Sequence, residues 1–197
     1  MALFNPNYRI VLGSSSPRRQ EMLQQMGLDF DICKPETEER RKEGESPSDY
    51  VLRNCQEKAQ WVMKQQGDAS VLVIAADTIV VQGDRVLEKP LSEVDAKDML
   101  RCLSGQSHEV MSAFSVILRR NDKLIVKSHL ERTTVHFAEL SESDISFYVQ
   151  TGEPMDKAGS YGIQGIGGFM VKRIEGSYSN VVGLPMHQLL EVMKSLN

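Results

Sequence analysis

The sequence predicts an α/β fold, and three observations carry that prediction. Val71 to Ala75 is a continuous apolar run rich in β-branched residues, the composition of a strand buried on both faces. Tyr8 to Gly13 (YRIVLG) is another strand pattern, and a serine-rich turn joins it directly to a helical pattern opening at Pro17. Strand and helix patterns then succeed one another along the chain, as in a sheet covered by helices.

In chain order, Pro17 suits the first turn of a helix and Ser16 its N-cap. Met22, Leu23 and Met26 give that helix an apolar stripe, and Gly27 ends it. Leu28 to Cys33 reads as a second strand, and the charged stretch from Pro35 to Gly44 as a connection. A helix follows from Pro47 to about Gln66, capped by Ser46 or Ser48, with Tyr50, Val51, Ala59, Val62 and Met63 as its buried face. In the central stretch Asp77 and Thr78 interrupt one apolar run and Ile79 to Val81 resume it. Gly83-Asp84 is a turn and Arg85 to Leu87 a short return strand. Ser92 and Asp95 open a helix that runs to Leu103. Val110 to Leu118 and Leu124 to Val135 are long strands joined by a turn at Arg120-Asn121-Asp122. Ser141 begins another helix that ends near Gly152, a glycine-rich segment follows from Glu153, and the last helix is Met186 to Leu196.

A chain of 197 residues can bury a sizeable core as one domain or as two small lobes. A net charge of −4 argues against a general nucleic-acid binder. No apolar run is long enough to span a membrane, and the first residues lack a signal peptide's apolar core. Cys33, Cys55 and Cys102 form neither a zinc-ligand pattern nor a disulfide framework. They predict packing roles and a reducing, cytoplasmic setting.

Two stretches carry candidate chemistry. The strand, the turn Ser14-Ser15-Ser16 and the helix beginning Pro17-Arg18-Arg19 place backbone N–H groups and two arginines at one helix N-terminus. That is anion-binding architecture, but serine caps are common, so the motif alone favours phosphate binding only weakly over a capped helix with two solvated arginines. Asp77 also has two readings. It is a carboxylate at a strand end bonded to local backbone, or an acid in a cleft that holds a metal or accepts a proton. Glu88-Lys89-Pro90 can bring a cation into the same cleft. Glu38 and Glu39 are candidates to point inward, whereas Lys58, on a helix, is of a type ordinarily solvated.

Together SSSPRRQEML, AADTIV, LEKP, DAKDMLRCLSGQSHEV, GEPMDKAGSYGIQGIGG and NVVGLP, in this order, resemble the Maf nucleotide pyrophosphatases over almost the whole chain. The resemblance implies one Maf-like domain over residues 1–197, with a long mixed β-sheet flanked by helices and two lobes around a central cleft, similar to the inosine triphosphate pyrophosphatase fold. It implies hydrolysis of a nucleoside triphosphate to the monophosphate and pyrophosphate with a divalent metal, Mg²⁺ or Mn²⁺, and a homodimer.

Residue by residue, the resemblance makes Asp77 the proton acceptor and places Arg19, Lys58 and Lys89 as phosphate-contacting cations. Ser16 falls in the substrate-binding turn. Glu38-Glu39 match the family's acidic pair, Glu39 being the essential member, and with Asp77 they form the implied metal set. Lys157 either contacts substrate or braces the glycine-rich loop. Arg18, Thr78 and Gln164 resemble the branch that acts on dTTP and UTP; the branch that acts on 7-methyl-GTP carries Trp, Gln and Glu there instead. The chain departs from the commonest pattern at Gly13 and at Asn54-Cys55, departures expected to lie away from the site. His108 is expected to be structural.

A triphosphate needs several cations, and attack by water at the α-phosphorus needs a base, so these residue types suit that chemistry. The competing reading is a nucleotide-binding regulator of cell division without turnover. The intact Asp77, Glu39 and Lys89 set weighs against it, and pyrophosphate release separates the two.

Overall fold

The computed structural model describes residues 8–67, 70–121 and 123–196. Its elements, in order, are β1 (Arg9–Gly13), α1 (Pro17–Gln25), β2 (Asp31–Ile32), α2 (Pro47–Lys64), β3 (Val71–Gln82), β4 (Arg85–Leu87), α3 (Glu93–Leu103), β5 (Ser107–Arg120), β6 (Lys123–Phe137), α4 (Glu142–Gln150), β7 (Val171–Glu175), α5 (Tyr178–Val182) and α6 (Met186–Ser195). Three short 3₁₀ turns, Glu153–Asp156, Ala158–Ser160 and Ile166–Met170, fill the glycine-rich segment. The sheet is mixed and seven-stranded, in the order β2-β1-β3-β5-β6-β7, with β4 paired to β3.

Most expected elements are present. β2 is the exception, because only Asp31 and Ile32 pair, in parallel, with Val11 and Leu12. The expected interruption at Asp77-Thr78 does not occur: β3 runs unbroken through both residues. β7 and α5, in the stretch after the glycines, went unanticipated because neither shows an apolar period longer than a few residues. Of the turn expected at Arg120-Asn121-Asp122, Asn121 takes positive φ and Asp122 lies outside the described residues.

The chain divides into two units, residues 1–77, 112–130 and 183–197 in the first and residues 78–111 and 131–182 in the second. In the first unit β1 lies parallel to β3, with Gly13 opposite Ala75. α2 packs on these strands through Ala59, Val62 and Met63, which join Val11, Val71, Val73, Ala75 and Ile117 in one core. Burying these apolar side chains contributes roughly 1.5–3 kcal/mol each for the larger ones. The contact is close at Gly13, where a Cβ would stand 3.1 Å from Val62 Cγ2 and 3.2 Å from Ala75 Cβ. A side chain there would push helix and strands apart.

In the second unit β4 pairs antiparallel with the end of β3 and β7 with the end of β6. α3 and α4 contribute Leu100, Leu103, Ile145 and Tyr148 to a core shared with Val80, Phe137 and Met170. Both helices start as the sequence predicts. Ser92 Oγ caps α3 through the Asp95 N–H, and Ser141 and Asp144 form a reciprocal capping box on α4.

Candidate active site

Sheet periodicity decides where Asp77 points. Val71, Val73 and Ala75 enter the core beneath α2, and alternation along β3 puts Asp77 on that same face. The register carries it two residues past the Gly13–Ala75 pair, level with the turn that follows β1. On α2, Asn54 and Lys58 lie one turn apart, N-terminal to the core residues Ala59 and Val62. Both reach the carboxylate. Lys58 Nζ donates to Asp77 Oδ1 at 2.8 Å and Asn54 Nδ2 donates to Oδ2 at 3.0 Å.

Lys58 is therefore buried, against the ordinary behaviour of a helix lysine. Its charge is balanced twice, because Nζ also lies 2.9 Å from Glu39 Oε2. Glu39 itself is half exposed, and the Tyr50 hydroxyl holds its backbone by donating to Glu39 O at 3.1 Å. Two carboxylates thus converge on one ammonium, one from the strand and one from the loop before α2.

Arg19, on α1, donates from Nε to Gly183 O at 2.9 Å. Burial holds its guanidinium below the ordinary arginine value, and the Asp77 carboxylate opposes that shift. Ser14 rather than Ser16 organises the turn. The buried Ser14 hydroxyl accepts from Ser16 N at 3.1 Å and stands 3.4 Å from an Arg19 terminal nitrogen, whereas the Ser16 side chain makes no capping bond. Burial, reinforced by Asp77, pushes the Cys55 thiol up to about 12, so it is a neutral packing group and not a nucleophile.

Among the expected residues the structure brings together Asp77, Lys58 and Glu39, with Arg19 in their field. Arg18 is half buried on α1. Glu38 faces elsewhere in the same unit: it lines a surface groove of about 730 Å³ with Arg40, Arg41, Arg53, Glu57 and Trp61. Among the described residues no three His, Cys, Asp or Glu side chains gather as a metal cluster. Glu39 and Asp77 still fit a hard cation, because Mg²⁺ is commonly held by one or two carboxylates with the rest of its shell from water and phosphate.

The other expected residues belong to the second unit. Thr78 follows Asp77 on β3 and is half buried; Lys89 and Gln164 are exposed. Lys157 braces the glycine-rich loop, its Nζ donating to Glu153 O at 2.6 Å and to Asp156 Oδ1 at 2.7 Å. Glu153 is the hub of that loop and was missed in the sequence. Its carboxylate accepts from Tyr148 OH at 2.9 Å, from Ile166 N at 2.9 Å and from Gly167 N at 3.1 Å. Gly159 is required nearby, since it has φ +67° and a Cβ would lie 2.8 Å from Val80 Cγ2. His108 is structural as expected: it is buried, Nε2 lies 2.8 Å from Tyr161 OH, and its ring meets Phe137 edge-on.

Asn54 overturns one expectation, since a departure from the common pattern does reach the site. The available signal was its i, i+4 relation to Lys58, which puts both on one helix face.

Comparison with known proteins gives a consistent set. A family model described as Maf-like protein matches residues 9–196. A protein of Vibrio parahaemolyticus named dTTP/UTP pyrophosphatase is 51% identical over 179 residues, covering 91% of this chain and 92% of the relative. A second of that name from Anaeromyxobacter dehalogenans is 49% identical over 188 residues, 94% of this chain and 93% of the relative. A third, from Geobacter sulfurreducens, is 45% identical over 188 residues, 95% of this chain and 96% of the relative.

Proposed function

This chain belongs to the Maf-like family, and from that premise we propose that it hydrolyses dTTP and UTP to the monophosphate and pyrophosphate. The observation that carries the proposal is the Lys58 ammonium bridging the Asp77 and Glu39 carboxylates. A carboxylate held in this way, with lone pairs still free, can take a proton from water.

The carboxylate of Asp77 has about four lone-pair sites, and Lys58 and Asn54 occupy one on each oxygen. A lone pair left over accepts the proton of the attacking water as the water oxygen bonds to the α-phosphorus. The bond from that phosphorus to the bridging oxygen breaks, and pyrophosphate leaves with the electron pair. Asp77 then gives its proton to solvent. Lys58 has three donors, two of them spent on Asp77 and Glu39, and offers the third to a phosphate oxygen. Arg19, aligned through Gly183 O and Ser14, adds positive charge on the same unit. Glu39 and Asp77 would hold a divalent metal, which when bound neutralises charge on the triphosphate. The family resemblance gives substrate roles to Lys89, Thr78 and Gln164 as well, each open to substitution.

A panel of nucleoside triphosphates, assayed for pyrophosphate release with Mg²⁺ and with Mn²⁺, tests this function. Release from dTTP and UTP is the expected result. Binding of UTP without release of pyrophosphate would overturn it in favour of a nucleotide-binding regulator.

A further inference from the structure

Asn54 is 2% exposed and sits in the buried face of α2, otherwise formed by Tyr50, Val51, Cys55, Ala59, Val62 and Met63 together with Lys58. An ionised carboxylate only accepts, so the amide must turn its NH₂ toward Asp77 Oδ2. That orientation commits the amide oxygen to the other side. There Asn54 Oδ1, itself buried, has no hydrogen-bond partner among the described residues.

A buried acceptor left unpaired is costly, and such a cost persists in natural proteins mainly where the group does something else. Leucine has nearly the same shape and would leave no amide oxygen unpaired, but it would withdraw a donor from the buried Asp77 Oδ2. What the amide adds is a second donor to Asp77. Lys58 alone, bonded to Oδ1, leaves the carboxylate free to turn about its broad terminal torsion. Donors on both oxygens fix its plane.

We propose that Asn54 is a positioning residue. It locks the plane of the Asp77 carboxylate so that the remaining lone pairs keep one direction, while its own amide oxygen stays unpaired. The proposal rests on the reading of Asp77 as the proton acceptor and adds a group outside the set that the family resemblance supplies.

The test compares the full chain with Asn54→Leu and Asn54→Asp, measuring pyrophosphate release from UTP and thermal unfolding on the same preparations. Asn54→Leu is expected to lower kcat on the order of ten-fold and to leave KM within about two-fold at a temperature where thermal unfolding shows it folded. Asn54→Asp keeps the shape but sets a second acceptor against Asp77, and is expected to lower both kcat and Tm below those of Asn54→Leu. A merely structural asparagine predicts parent-like kcat for the folded Asn54→Leu whatever its Tm, and that result overturns the proposal. Parent-like kcat in Asn54→Asp also overturns it, and either result leaves the pyrophosphatase function standing. A parent chain that releases no pyrophosphate overturns the function and this proposal together.

Discussion

Lys58 and Asp77 form a buried ion pair, with Nζ 2.8 Å from Oδ1 and side chains only 7% and 10% exposed. Such a pair is poor evidence for net stability, but breaking one side of it is expensive because the other charge stays behind. Lys58→Met is therefore expected to destabilise the fold by about 3 kcal/mol at neutral pH, and Lys58→Met with Asp77→Asn to recover part of that loss. Urea unfolding of the parent and these two variants measures it. Parent-like stability for Lys58→Met would mean that solvent already screens the pair.

Asp77→Asn removes the proposed base and keeps the shape. Lys58 retains Glu39 as a partner, so the fold is expected to persist. Turnover should fall on the order of 10²–10⁴-fold, the usual worth of a positioned proton-transfer group. Near-normal kcat would return Asp77 to the reading of a bonded strand residue.

Arg19 and Lys89 are read as cations for the outer phosphates, Arg19 being fixed by Gly183 O and Lys89 exposed after β4. The β- and γ-phosphates carry most of the charge such groups face. Arg19→Ala and Lys89→Ala should each weaken UTP binding more than UMP binding in calorimetry. Equal losses for the two ligands would assign these side chains to the nucleoside instead.

His108 gives the fold a defined acid sensitivity. Burial, with a smaller contribution from His136, lowers its pKa from 6.5 to about 4. Between those values the unfolded chain takes up a proton that the folded chain refuses, so stability rises with pH across that window and is lost as pH falls from 6.5 to about 4. The full shift corresponds to about 3 kcal/mol. His108→Gln keeps a polar partner for Tyr161 and removes the titration. Its Tm is expected to fall less steeply than the parent's over that range, and parallel curves would contradict this account.

Local signals made most elements legible, because caps and apolar periods lie close together in sequence. Ser92 with Asp95, and Ser141, announced their helices, and Tyr50, Val51, Ala59, Val62 and Met63 announced the buried side of α2. The burial of Lys58 was not legible from α2, because its cause is Asp77, nineteen positions on along the chain. Asn54 was hidden the same way, by a partner in another element. The continuity of β3 through Asp77 was masked because a charged residue breaks an apolar run whether or not it breaks the strand. Glu153 was unreadable because two of its partners are the backbone N–H groups of Ile166 and Gly167, which leave no trace in sequence.

The family resemblance puts one proposed specificity residue on that same loop. Gln164 is exposed in the turn between Tyr161 and Ile166, whose backbone the Glu153 carboxylate holds. An amide offers a donor and an acceptor, which matches the N3–H and carbonyl edge of uracil or thymine. Cytosine carries an amino group at C4 and no hydrogen on N3, so on binding it leaves covered groups unpaired. Each such group costs about 1–3 kcal/mol, enough to discriminate by roughly ten-fold or more. A site matched to one ring also disfavours a purine. dTTP and UTP are therefore expected to be cleaved well, CTP poorly, and GTP and 7-methyl-GTP least. Gln164→Glu should lower dTTP and UTP turnover, because an ionised carboxylate cannot donate to O4 or O2, while repelling the triphosphate only weakly through solvent. Initial rates across the five nucleotides decide the matter: efficient cleavage of 7-methyl-GTP by the parent chain would remove Arg18, Thr78 and Gln164 from the specificity argument and leave the Asp77 chemistry untouched.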